Sequence, residues 1–367
     1  MKGSLTKRTK IIIAVVTVIV IAAIAGGLGY HFTHKKDTNQ GTQNNGSIPN
    51  GSKGAYTNPD IPINVDLKIQ SNSSYTRSFW GLAYTPLNVQ FPWCGDTQDE
   101  VIEDLKILYQ LTPRIRIYGV DCRQFEYIMN GINALNIRMG VIPTIWVDNN
   151  QTTYDRQHDT FFQVTERYGW DNIIGVSVGN EAIYRKEITA EELQRRVKEV
   201  RDRITKAGHP EIPVFSTDIE QLDKILDMSD ILFDNVHPFF AGTRVEDASS
   251  WTFKYFQEND VAVAAKVGKK AVISEVGWPT GGAPDRGAIA SVGNLQILLD
   301  NFVCEANKRK VPNFFFEIFD EPWKIIFNEP RETMWGVFSD KKQLKAGLTL
   351  PNCPLPAFGQ GSTSLFE

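Results

Sequence analysis

Excess charge, cysteine and histidine are all scarce in this 367-residue chain, and each scarcity narrows its chemistry. Lys and Arg total 39 against 43 Asp and Glu, a formal net charge of -4. With no basic tract in the body of the chain, nothing points to a nucleic-acid partner. The five histidines are scattered, without a pair at metal-ligand spacing, so no metal and no cofactor are expected. Only four cysteines occur, Cys94, Cys122, Cys304 and Cys353, and none forms a C-x-x-C pair. That argues against a metal or redox site and fits an oxidising compartment. No G-x-G-x-x-G follows the first strand-like run, so a nucleotide-binding open sheet is disfavoured. No repeat is visible beyond a strand-helix unit. Aromatics, by contrast, are plentiful, with 21 Phe, 11 Tyr and 8 Trp. Most serve to fill a core, and a weakly charged, aromatic-rich body suits a neutral ligand such as a sugar.

The N-terminal region differs from the rest. Lys2, Lys7, Arg8 and Lys10 precede an uncharged run from Ile11 to Leu28, about as long as the roughly 17–25 residues a membrane helix needs. Residues 1–10 read as a cytoplasmic tail and 11–30 as a signal-anchor, because basic residues favour the cytoplasmic side. The body of the chain then lies on the extracellular side of a single-pass type II protein. Ala23-Ile24-Ala25 also fits a signal-peptidase site, which would make the protein secreted. Residues 31–65, rich in Asn, Gly, Ser and Thr, read as a flexible linker. Asn45, Asn50, Asn72 and Asn150 begin N-x-Ser/Thr triplets and are candidate glycosylation sites.

Residues 66–358 carry eight apolar, strand-like runs: Trp80–Pro86, Arg114–Gly119, Met139–Val147, Ile173–Glu181, Pro213–Asp218, Ile231–Pro238, Ala271–Pro279 and Asn313–Glu321. Helical patterns lie between them. Thr97 and Thr189 each start a capping box, the second ahead of a charged run ending at Gly208. Gly287–Lys310 reads as a long helix with Leu295, Leu298, Leu299 and Phe302 on one face. Eight strand-helix units in one domain predict a (β/α)8 TIM barrel, followed by a tail at 359–367. Four cysteines allow three pairings. The barrel puts Cys94 and Cys122 in neighbouring loops, and Cys304 and Cys353 late in the chain, so Cys94–Cys122 and Cys304–Cys353 are the expected bridges. A monomer is expected.

Two glutamates close such runs: Glu181 in Gly175-Val-Ser-Val-Gly-Asn-Glu181 and Glu275 in Val272-Ile-Ser-Glu-Val-Gly-Trp-Pro279. A barrel places its chemistry at the C-terminal strand ends, and strands four and seven face each other across the mouth. Two carboxyls about 5–5.5 Å apart are what a retaining glycosidase requires. Crowding them raises the pKa of one and keeps it protonated as the general acid. Asn180 is suited to bond a sugar 2-hydroxyl. His237 is either a hydrogen-bonding site residue near the nucleophile or a buried structural one. Tyr118, Trp146, Phe240, Trp278, Phe316 and Trp323 stand near strand ends, where aromatic faces stack on sugar rings or simply pack. Gly175-Val-Ser-Val-Gly179 matches the G-x-S-x-G pattern of serine esterases, but two flanking valines put Ser177 inside a strand rather than on a sharp turn.

Val272-Ile-Ser-Glu-Val-Gly-Trp-Pro-Thr280 and Val178-Gly-Asn-Glu-Ala182 resemble the nucleophile and acid/base motifs of glycoside hydrolase family 17, the β-1,3-glucanases. Arg116-Ile-Tyr-Gly-Val-Asp-Cys122, Val236-His-Pro-Phe-Phe240 and Phe315-Phe-Glu-Ile-Phe-Asp-Glu-Pro-Trp-Lys324 resemble its fungal cell-wall branch. The resemblance runs from about Ser78 to Cys353; Val120 departs from an expected Thr. It implies a barrel acting with retention, Glu275 as nucleophile and Glu181 as acid/base. Glu321 and Lys324 match an acid-lysine pair that shapes the site or forms a structural ion pair. The substrate implied is β-1,3-glucan of the cell wall. The activity it implies is that of a glucan endo-1,3-beta-glucosidase or, with the same glutamates, a glucanosyltransferase. A wall-glucan-binding protein without turnover is the alternative from another class.

Overall fold

The computed structural model describes residues 56–219, 221–356 and 364–366. The expected tail at 1–10, signal-anchor at 11–30 and most of the linker lie outside the described residues, as do Asn45, Asn50 and most of 359–367. Among the described residues no helix is long and apolar enough to cross a membrane.

Parallel strands form the centre: β1 (Gly81–Ala83), β2 (Arg114–Arg116), β3 (Gly140–Ile142), β4 (Thr144–Ile145), β5 (Val176–Asn180), β6 (Val214–Thr217), β7 (Leu232–Asn235), β8 (Ala271–Val276) and β9 (Asn313–Phe315). Every expected run contributes one. The third contributes two, because Pro143 has no N–H to continue the ladder. Strand order is β3-β2-β1-β9-β8-β7-β6-β5-β4. The two ends of that order meet: Val141 of β3 bridges Ile173, its N–H donating to Asn172 O at 2.7 Å. The result is a nearly closed, TIM-barrel-like parallel barrel of nine strand segments.

Helices cover the outside. Thr97 caps Gln98–Leu111 by accepting from the Glu100 N–H at 3.3 Å, and its hydroxyl donates to Glu100 Oε2 at 2.9 Å. Thr189 caps Ala190–Lys206 in the same way through Glu192, and Gly208 follows at φ +96°. The last long helix is shorter than expected. It runs Val292–Arg309, because the Ser291 hydroxyl accepts from the Asn294 N–H and fixes the start there. Linker and body also divide earlier than expected. Residues 56–65 lie against the barrel, with Asn58 bonded to Asn130 and Glu126, Ile61 buried, and Asn64 bonded to Asp99.

Alternation along the strands separates two cores. Side chains facing out, such as Ile115, Val141, Val178 and Ile273, join the large core beneath the helices. A smaller cluster of Ile142, Phe215, Ile231, Phe233, Val272, Phe314 and Leu365 is distinct from it. Phe215 and Phe233 stack there at 4.0 Å. The strand positions among them share the inward parity, so with Leu365 they plug the barrel below the mouth. Two bridges fasten the periphery, Cys94–Cys122 and Cys304–Cys353, with Cα separations of 4.9 and 5.7 Å. The first ties the β1 loop to the β2 loop, as the barrel order predicted.

Candidate active site

Simple alternation does not place Glu275. Ser274 faces inward, its Oγ donating to Asn235 Oδ1 at 2.6 Å, so its neighbour ought to face out. Register shifts between Asp234 and Asn235 on β7 and between Ile273 and Val276 on β8 and β9 re-aim it. Gly277 permits this turn of chain to press on β9: a Cβ there would lie 1.8 Å from Phe316 O. Glu181 is re-aimed similarly. β5 shifts register between Ser177 and Asn180, Gly179 takes φ +78°, and Glu181 itself takes φ +53°.

Glu275 is held on both oxygens. Its Oε1 accepts from Arg116 Nη1 at 2.9 Å and from the Tyr118 hydroxyl at 2.8 Å, and Oε2 lies 3.0 Å from His237 Nε2. Burial alone would raise its pKa. The His237 bond, the Arg116 charge and the Tyr118 hydroxyl together pull it below the usual carboxylate range. Glu181 stands in the opposite condition. One donor reaches it, Asn235 Nδ2 at 2.7 Å. Burial and the negative charge of Glu275 push its pKa up to about 7, against that one bond. The two acids are joined by two short bridges. Arg116 runs from Glu275 to Asn180 Oδ1 at 2.7 Å, beside Glu181, and Asn235 runs from Glu181 to Ser274, beside Glu275. Such an arrangement can protonate one group and attack with another.

Tyr118, Asn180 and His237 therefore come together around the acids. Trp146 is half-buried at the rim with Arg185 stacked 4.2 Å from its ring centre. Phe240 is half-buried against His237 and Trp335. Trp323 is half-buried against Phe327. Three expectations need correcting. Trp278 is 0 % exposed, its indole N–H donates to Ile289 O and its ring meets Phe239, so no face is left for a sugar. Phe316 is buried among Tyr118, His237 and Trp335 and supports the site from behind. Glu321 is buried too, 3.0 Å from Lys324, whose Nζ also reaches Glu317 at 3.1 Å. These are ion-pair partners rather than groups open to a ligand. Ser177 is a buried strand residue, its Oγ donating to Gly179 O. Asn72 and Asn150 are exposed.

Sequence reasoning gave no role to Arg116, Asn235, Ser274 or Glu317. Arg116 carried a usable signal: an arginine at inward parity in an apolar strand must find an anion or carbonyls to be buried. Nothing local distinguishes Asn235 or Ser274.

Residues 81–336 match the BtgE/BtgC glycoside hydrolase domain. The chain is 36% identical over 347 residues to an Aspergillus clavatus protein named "Probable glucan endo-1,3-beta-glucosidase btgC", covering 87% of this chain and 50% of that one. It is 32% identical over 323 residues to the Emericella nidulans "Glucan endo-1,3-beta-glucosidase btgC", covering 81% and 50%. It thus spans about half the length of the curated relatives it matches. In fold it is similar to an active-site mutant of the Rhizomucor miehei beta-1,3-glucanosyltransferase in complex with laminaritriose. The TM-score is 0.65 at 24% identity, covering 76% of this chain and 100% of that one. With its own strands, glutamates and matched span in agreement, the chain belongs to the BtgE/BtgC glycoside hydrolase family.

Proposed function

We propose that this protein is a retaining β-1,3-glucan-active glycoside hydrolase that works by double displacement. The observation that carries the reading is the unequal treatment of two neighbouring acids. Glu275, depressed below the usual range, is the nucleophile; Glu181, raised to about 7, is the proton donor. In the first step Glu275 attacks the anomeric carbon while Glu181 gives its proton to the departing glycosidic oxygen. The bond to Glu275 forms as the glycosidic bond breaks. In the second step Glu181, now ionised, takes a proton from the acceptor, which displaces Glu275 and restores both groups. Arg116 and Tyr118 hold Glu275 against its own burial.

Water as acceptor gives hydrolysis, and a glucan hydroxyl gives transfer by the same two glutamates. The names of the curated relatives favour hydrolysis as the primary reading. Incubation with a laminari-oligosaccharide tests both: shorter products alone mean hydrolysis, products longer than the substrate mean transfer. Glu275→Gln should abolish either, and unchanged cleavage would refute the assignment. The N-terminal composition supports delivery to the wall side of the membrane, through residues 11–30 as anchor or as cleaved signal. Sequencing the mature protein separates these, since a start near Gly26 removes the anchor.

A further inference from the structure

Behind the two acids lies a charged cluster that no step above uses. Glu317, just past β9, and Glu321 share one ammonium: Lys324 Nζ is 3.1 Å from Glu317 Oε1 and 3.0 Å from Glu321 Oε2. Both glutamates are 1 % exposed. The backbone of Glu317 is clamped, with its carbonyl accepting from the Val337 N–H at 3.0 Å.

Charge counting constrains this cluster. Two ionised carboxylates on one ammonium leave a buried net negative charge, which is costly. Burial, with the negative charge of Glu321 added, pushes the Glu317 carboxyl well above the usual range despite Lys324. Lys345, Tyr118 and, through Lys324, Glu332 are the other titratable groups facing it. The cluster reaches the site through one ring. Lys324 Nζ sits 4.6 Å from the centre of Phe316. Phe316 packs edge-on against Tyr118 and His237, at 6.1 and 5.5 Å. Those two side chains hold the two oxygens of Glu275.

We propose that Glu317 is a positioning residue that retains its proton, so that the Lys324 cluster is neutral behind Phe316 and Glu275 stays ionised. The proposal rests on the reading of Glu275 as nucleophile.

The test is the pH profile of kcat/KM on a laminari-oligosaccharide, measured on the full-length protein with its melting temperature. Glutamine is the uncharged isostere of a protonated glutamate. Glu317→Gln is therefore expected to fold and to leave the acid-side midpoint within about 0.3 pH unit. Removing both carboxyls, Glu317→Gln with Glu321→Gln, leaves Lys324 unmatched and is expected to lower that midpoint by about one unit. A downward shift of about one unit in Glu317→Gln alone would mean that Glu317 had been ionised, and would overturn the proposal. If Glu317→Gln does not fold, Glu321→Gln carries the same expectation of an unmoved midpoint. Failure of both to fold also overturns it. Labelling the wild type with a 2-deoxy-2-fluoro laminaribiosyl donor keeps the two readings apart. Label on Glu275 with a shifted midpoint rejects the proposal alone; label elsewhere rejects the nucleophile assignment.

Discussion

Arg114 and Arg116 stand two residues apart on β2, both at inward parity and both fully buried. Their surroundings differ. Arg114 points to the plugged end, where it donates to the carbonyls of Trp80 at 2.9 Å and Ser364 at 2.7 Å and lies over the Trp80 ring. Burial pulls its pKa down to about 10. Arg116 points to the mouth and meets Glu275, Asn180 and the Ser274 carbonyl. Carbonyl dipoles solvate a cation and hold structure together. A carboxylate gains from the same cation a lowered pKa, which keeps it ionised, as the proposed nucleophile must be. The barrel thus pairs one residue type with carbonyls at one end and with a carboxylate at the other.

That contrast can be broken by substitution. The largest effect is expected at Arg116. Arg116→Leu should cut kcat/KM at least about 100-fold, because Glu275 loses its charge partner and regains the penalty of burial. A loss that merely tracked unfolding would put Arg116 in the same class as Arg114. Arg114→Met should do the reverse, lowering stability by about 2–4 kcal/mol in chemical denaturation while the folded fraction keeps its activity.

The next contrast is pH. On the proposed roles activity needs Glu275 ionised and Glu181 protonated, so kcat/KM should rise through the depressed Glu275 titration and fall as pH passes about 7. Because the folded pKa of Glu181 is raised, its contribution to stability is greatest at acid pH and is lost as pH rises toward about 7. Glu181→Gln should therefore be inactive yet more resistant to heat than the wild type at pH about 8. A variant that melts lower at that pH would contradict the raised value. Smallest of all is Trp278→Phe. It should reduce stability by about 1–2 kcal/mol and leave KM unchanged, since the indole is packed away from the mouth.

Much of this was legible in the residues. Apolar runs bounded by turns marked each strand, and barrel order brought Glu181 and Glu275 to one end and paired the cysteines. Aim was what the sequence concealed. Glu275 faces the mouth only through slips in register on β7, β8 and β9, and nothing in Ser-Glu-Val announces a slip. Whether Trp278 and Phe316 would stack on sugar or pack stayed open for the same reason: standing at a strand end does not say which way a ring turns. Asn235 was missed because its role depends on touching Glu181, 54 residues away. Pro143 divided a run that periodicity alone had joined.

Azide rescue tests the division of labour between the two acids most directly. In Glu181→Ala, the glycosyl-enzyme on Glu275 should be trapped by azide on the face Glu181 had served, giving a β-glycosyl azide. In Glu275→Ala, azide should take the nucleophile's place and give the α-glycosyl azide. The opposite pairing of variant and anomer would exchange the roles of Glu181 and Glu275 and contradict the account.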